Sequence, residues 1–538
     1  MKRTLLALTL MLAACGDETA EQAEQAGGYK GGVGKSDSSA EAVFLEFEFD
    51  GQLVAPHCFS NRSQIQDQLL FTIGQLNGEK SLGRLDQLDV TQIQGTPQDG
   101  KCLVTYHARM PVAWGKKNAV PASYELVMPR ETSYGAADAF AKKYGKTCVD
   151  WGAHDVDAGS MWYYYRPSRS GCSLAAEDVF RFAATVSISP IGTTGKYPEY
   201  HKVWEDDALR VVAIFGKYED GAGDSDVGVD GYNKFVQAVR SHLKPHGATT
   251  TPADAPTSPG TKVPDVTIEA TLPGGRTVSV VALLVDNVRT AGPTFDKRYE
   301  GLSSSADLIV YNGHAGLGAN IRALASKGKW VQGQYVIVFM NGCDTYAYVD
   351  QALAEAHMDV NPDDTTGMKY CDIVTNAMPS FFRSMPTATM ALVKGLQSHD
   401  KPKTYEQIFG GIDSAEVVLV SGEQDNVYVP GYTAEQPAPQ PWAGLSASRT
   451  VVADEQARYE TPALPAGRYV FTLAGTGDAD LYVRVGEAPT LDLFECRPYL
   501  YGSKETCTVE ITTPAPVHVM IVGWDDTSDV TLTGAAQP

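Results

Sequence analysis

Two apolar runs, each closed by glycine and a reactive side chain, constrain this chain more than any other feature. The first is Asp307-Leu308-Ile309-Val310-Tyr311-Asn312-Gly313-His314-Ala315-Gly316. The second is Tyr335-Val336-Ile337-Val338-Phe339-Met340-Asn341-Gly342-Cys343-Asp344-Thr345. A short apolar run bounded by glycine reads as a strand buried on both faces of a parallel sheet. Chemistry in such sheets collects just beyond the carboxyl ends of the strands. His314 and Cys343 stand at that edge, one per strand, with a helix-sized segment between them. A thiol and a base that are distant in sequence are therefore expected to face each other.

The N-terminus is a targeting signal. Lys2 and Arg3 precede an apolar stretch from Leu5 to Leu12, which ends in Leu12-Ala13-Ala14-Cys15. This resembles the bacterial lipoprotein signal, which implies cleavage after residue 14 and lipid on Cys15. The apolar stretch is too short for a permanent transmembrane helix. Gly16 follows the lipidated position, and the expected location is the bacterial cell envelope, at the outer membrane or cell surface. Loss of residues 1–14 removes Lys2 and Arg3 from the 44 basic residues, leaving 42 against 65 acidic. Such a surface repels nucleic acid and acidic lipid, so no nucleic-acid partner is expected and membrane contact is through the lipid alone. The roughly 520 remaining residues exceed one core and imply two to four domains.

In an oxidising compartment, even-numbered groups of cysteines read as disulfides. Among the nine cysteines the expected pairs are Cys58–Cys102, Cys148–Cys172 and Cys496–Cys507. The four N-terminal cysteines allow three connectivities, so the first two pairs stay open at this stage. Cys343 and Cys371 remain; a strand-end thiol in an exported protein suggests use, whereas Cys371 reads as core.

Residues 15–40, rich in Gly, Glu, Ala and Ser, form a flexible tether. Within it Gly31-Gly32-Val33-Gly34-Lys35-Ser36 mimics a phosphate loop, but Tyr29 occupies the first glycine position and no strand precedes it. Residues 41–203 read as a β-rich domain, with strands through Phe44–Phe49, Leu69–Thr72 and Met161–Tyr165 and a helix over Ala136–Tyr144. From Leu209 strands alternate with helices, which predicts a parallel sheet with helices on both faces over 204–431. A proline-rich linker leads to residues 446–538, which read as a small β-sandwich.

A cysteine nucleophile needs a base for its proton and donors for the oxyanion. Strand–His–Gly followed by strand–small–Cys resembles the caspase, legumain and gingipain clan of cysteine peptidases. The resemblance implies a caspase-like sheet, Cys343 as nucleophile and His314 as base. It also implies backbone N–H groups of Ala315 and Cys343 as oxyanion donors, and no required cofactor. Ala315 stands where the clan usually has glycine. Asn312 and Asn341 are the candidates for orienting His314.

An acidic loop offers Asp224, Asp226 and Asp230 as calcium candidates, with a solvated loop as the favoured competing reading. Neither His-Glu-x-x-His nor paired-Cys spacing supports zinc catalysis. Near the C-terminus, Leu464-Pro465-Ala466-Gly467-Arg468-Tyr469 is followed by Gly477-Asp478-Ala479-Asp480-Leu481-Tyr482-Val483. With Cys496-Arg497-Pro498-Tyr499 and Glu505-Thr506-Cys507, this resembles the bacterial pre-peptidase C-terminal domain, a β-sandwich appended to secreted peptidases. The expected function is therefore a lipid-anchored cysteine endopeptidase acting on protein or peptide substrates. The alternative is a catalytically inactive surface binding protein on the same scaffold.

Overall fold

A computed structural model describes residues 37–537, except 60, 154, 350, 423–425, 427, 433–441, 443, 465–466 and 512–514. The signal, the lipidation site Cys15, the phosphate-loop mimic and most of the tether lie outside the described residues. No helix among the described residues is long and apolar enough to cross a membrane. The chain divides into two compact units, one ending at Tyr432 and one following it.

The first unit carries two sheets. Besides β1 (Ser38–Ser39), its N-terminal part contains β2 (Val43–Ala55), β3 (Ser81–Gly83), β4 (Asp89–Gln98), β5 (Lys101–Trp114), β6 (Ser123–Pro129) and β7 (Val179–Ile188). β2 to β7 form one six-stranded sheet in the order β3-β5-β2-β7-β6, with β4 on β5. Along β2, Phe47, Phe49 and Leu53 are buried while Glu48, Asp50 and Gln52 face out, the period of a half-covered strand. Two strands expected from sequence are helical instead. Leu69–Thr72 lies inside the helix Arg62–Asn77, where Ile65, Leu69, Ile73 and Leu76 recur at helical spacing and are buried. Met161–Tyr164 forms a single helical turn.

The second sheet has nine strands. Its members after β1 are β8 (Ala208–Gly216), β9 (Thr249–Thr251), β10 (Asp265–Thr271), β11 (Thr277–Val285), β12 (Leu308–Asn312), β13 (Val336–Asn341), β14 (Cys371–Asn376) and β15 (Val418–Gly422). The order is β1-β15-β14-β13-β12-β8-β11-β10-β9. The five strands β11, β8, β12, β13 and β14 run parallel; β15 and β10 pair antiparallel with the two outer ones, and β1 and β9 pair antiparallel with those in turn. The sheet is thus mixed α/β, a parallel centre with antiparallel margins, rather than wholly parallel.

Alternate residues of the central strands enter different cores, which explains why these strands read as unbroken apolar runs. Val310, Ile337 and Phe339 pack with the helices Val227–Leu243 and Met385–Leu396. Ile309, Tyr311, Val338 and Met340 pack with Tyr299, Ile321, Leu324 and Leu353 from the helices on the opposite face.

The second unit is two antiparallel sheets. One contains β16 (Leu445–Val451), β18 (Gly467–Gly475), β20 (Glu505–Ile511) and β22 (Ser528–Gln537). The other contains β17 (Gln456–Glu460), β19 (Ala479–Val485) and β21 (Val517–Gly523). Phe471, Leu481, Val509, Ile521 and Leu532 fill the space between them. Described disulfides join Cys58 to Cys102, Cys148 to Cys172 and Cys496 to Cys507. Cys371 is a buried thiol in β14.

Phe339 is fully buried at the middle of the parallel sheet. Phe339→Ala is expected to lower unfolding free energy by about 3–5 kcal/mol, read from the urea midpoint. A loss below about 1 kcal/mol would show that this strand is not core.

Candidate functional site

The strand ends set the site. β12 and β13 pair in parallel with Leu308 opposite Ile337 and Asn312 opposite Asn341. His314 and Cys343 each lie two residues beyond those asparagines, at equivalent places on neighbouring strands. Gly313 N donates to Asn341 O at 3.3 Å, tying the first loop to the second strand. A Cβ at Gly342 would fall 2.9 Å from Gly313 O and 3.4 Å from Ala315 N, so glycine is what lets the two loops close.

His314 is half-buried, and its Nε2 stands 3.0 Å from Tyr218 O. A carbonyl only accepts, so Nε2 carries the proton and the tautomer is set. The Tyr218 and Phe382 rings flank the imidazole at 5.3 and 5.2 Å between centroids. Tyr218 is in turn pinned by Asp226, whose carboxylate accepts from the backbone N–H groups of Tyr218, Glu219, Gly228 and Val229. Asp226 therefore caps the helix Val227–Leu243 and fixes the carbonyl that orients His314. Asn312 and Asn341, the orienting candidates from sequence, bond to each other at 2.8 Å instead.

Cys343 is buried, with Sγ 3.6 Å from Ser380 O. Asp344 follows in a left-handed conformation, φ 53°, with Asn77 Nδ2 donating to it at 3.1 Å. Ala315 is buried, and its N–H side meets the Gly342 loop.

Sequence reasoning missed the layer beneath this edge. Glu416 is fully buried and accepts from Ser384 Oγ, while Ser380 Oγ lies 3.4 Å from Glu416 Oε2 and 2.7 Å from Asn341 Oδ1. Burial lifts the Glu416 carboxyl to about 7, against the serine hydrogen bonds. Burial likewise lifts Asp344 to about 6 and Asp307, at the other end of β12, to about 8. An acidic residue just before an apolar strand was the only available signal for Glu416.

The calcium candidates do not converge. Asp224 accepts from Thr261 N and Oγ1, Asp230 pairs with Lys234, and Asp226 is saturated by backbone amides. Among the described residues no group of three or more His, Cys, Asp or Glu stands close enough to hold a metal. A cavity of about 1040 Å³ opens beside the carboxyl ends of β8 and β11, with Lys217, Leu283, Asp286, Phe295 and Arg298 on its walls.

No family model matches the chain. It is similar to the alkaline serine exoprotease A of Vibrio alginolyticus, 52% identical over 58 residues, 11% of this chain and 11% of that protein. The neutral protease of Vibrio proteolyticus is 37% identical over 94 residues, 17% of this chain and 15% of that one. A zinc metalloprotease of Helicobacter pylori is 38% identical over 94 residues, 17% of this chain and 35% of that one. The chain thus spans about a tenth to a third of the length of these curated relatives. Among solved structures, "Solution structure of vEP C-ter 100" is 34% identical and covers 17% of this chain and 92% of its own, with a TM-score of 0.16. The periplasmic lysozyme inhibitor PliG of Aeromonas hydrophila is 12% identical over 19% of this chain and 92% of its own, TM-score also 0.16. Scores this low carry no argument about fold.

These relatives overturn the cysteine-peptidase reading. They are named for zinc or serine chemistry, a further one being a virulence metalloprotease of Vibrio anguillarum, and not as members of the caspase, legumain and gingipain clan. The expectation of a cysteine-type endopeptidase using a Cys343–His314 dyad is thereby withdrawn. The expectation that no cofactor is required, with calcium as an option, is overturned as well, because the relatives' names imply zinc in those proteins. The described residues of this chain nevertheless offer no donor set that fits zinc, and no step is derived through it.

The raised acids make a stability prediction. Each has a folded pKa above its unfolded value, so its contribution is complete below the unfolded pKa and is lost as pH rises toward the folded one. His357, lowered to about 4 by burial, acts in the opposite sense, but only below its ordinary range. Between pH 6.5 and 8 the raised acids Asp307 and Glu416 lose their protons, and stability should fall by on the order of 1–2 kcal/mol. Urea midpoints at the two pH values test this, and Asp307→Asn should flatten the slope. A higher midpoint at pH 8 would contradict it.

Proposed function

We propose that the chain is an exported protease that acts on protein or peptide substrates at the carboxyl edge around His314. The observation that carries this reading is the stretch of up to 94 residues shared with bacterial proteases. That length matches the seven-stranded C-terminal sandwich, which we assign as the shared segment and as a pre-peptidase-type C-terminal domain. The ranges 41–203, 204–431 and 446–538 are taken as three domains, supported by their separate sheets. A cell-surface or extracellular location, with lipid on Cys15 as the only membrane contact, is supported by the disulfides and by the acidic surface. The same surface argues against a nucleic-acid partner. The finer fold description, a caspase-like arrangement, belongs to this proposal as strand geometry only. It rests on the parallel centre and on antiparallel β15 beside β14.

His314 supplies the proton chemistry in this reading. Its tautomer is set by Tyr218 O, and its ring is clamped between two aromatic rings. A positioned imidazole of that kind takes a proton from an attacking group and returns it to the leaving amine.

The test is cleavage of an unfolded protein by the purified mature chain, with thiol-directed alkylation as a second arm under non-reducing conditions. Cleavage is expected, and alkylation should change its rate by less than about twofold. Absence of cleavage would overturn the protease reading. Full inhibition by alkylation would overturn the withdrawal of Cys343.

A further inference from the structure

The turn that follows β14, residues 380–384, touches everything at the strand edge. Ser380 O lies 3.6 Å from Cys343 Sγ, Ser380 Oγ bonds Asn341 at 2.7 Å, and the Phe382 ring meets the His314 imidazole edge-on. Glu416, just ahead of β15, closes on this turn from beneath. One carboxylate oxygen accepts from Ser384 Oγ, and the other stands 3.4 Å from both Ser380 Oγ and Asn376 Nδ2. Met378 N and Ala377 N bond the Glu416 and Val417 carbonyls, so the backbone is tied at the same place. A fully buried carboxyl is costly in a site that needs only a turn anchor, because a neutral amide would anchor it without desolvating a charge.

We propose that Glu416 is a positioning residue for the strand edge: by gripping Ser384 with its carboxylate and Met378 N with its carbonyl it holds the 380–384 turn and thereby sets the orientation of the His314 ring through Phe382. The role of the edge rests on the protease reading above; the mechanical coupling of Glu416 to His314 does not. The charged group facing Glu416 is Asp413, whose repulsion adds to burial in disfavouring the ionised form. Asn376, Ser380 and Ser384 supply the polar contacts from β14 and the turn, and Arg383 is the cation on the turn itself. The ionised form accepts from Ser384 Oγ and Asn376 Nδ2, while Ser380 gives its hydroxyl proton to Asn341 Oδ1. Protonation, centred at about 7, removes one acceptor and loosens the turn.

The experiment is the titration of the His314 imidazole by NMR in the full chain labelled at histidine, its signal identified with His314→Gln. The wild type should show a second inflection near pH 7 that Glu416→Gln abolishes while the far-ultraviolet spectrum and melting temperature persist. If Glu416→Gln does not fold, Ser384→Ala, which leaves the carboxyl in place, should displace the same inflection. Superimposable His314 curves in wild type and variant would overturn the proposal. In the cleavage assay Glu416→Gln should lower kcat about tenfold with KM within about twofold, and unchanged kcat would count against positioning. Should the wild type cleave nothing, the protease reading fails while the titration still decides the coupling.

Discussion

Parallel pairing of β12 with β13 is the constraint on which the rest of the site depends. With Asn312 opposite Asn341, the two loops leave the sheet side by side, and glycine at 342 lets them touch. The paired asparagine side chains bond each other in a place where unpaired amides would be costly, which disfavours a slipped register. Burial on both faces then locks the strands between two helical layers. Position at this edge is thus inherited from the core, not built by the loops alone.

What the edge can do differs from what its residue types first suggest. A cysteine beside a histidine invites a thiol mechanism, but Cys343 is buried, and the proteases that share sequence with the chain are named for other chemistries. Zinc does not fill the gap, because acidic and histidine side chains are dispersed among the described residues. The shared stretch is about a sixth of the chain, so it bears on export and on company with proteases more than on the reacting groups. His314 retains two features of a proton carrier: a set tautomer and clamped faces.

Much of the sheet was legible because strands covered on both sides leave unbroken apolar runs, as at Leu308–Asn312 and Val336–Asn341. The helix Arg62–Asn77 was not, since Leu69 to Thr72 alone looks like any apolar strand and only the spacing of Ile65, Leu69, Ile73 and Leu76 reveals the turn. The positions of His314 and Cys343 followed from strand ends. Their surroundings did not, because Tyr218, Phe382 and Glu416 arrive from loops after two other strands or before a third. Asp226 shows the limit most plainly: it looked like a cation ligand and is a helix cap that also pins the His314 acceptor.

The most direct test of the central claim is the rate at which the mature chain and its His314→Ala variant cut an unfolded protein at neutral pH. The account predicts loss of at least about a hundredfold with folding intact. Equal rates would place the chemistry elsewhere and contradict it.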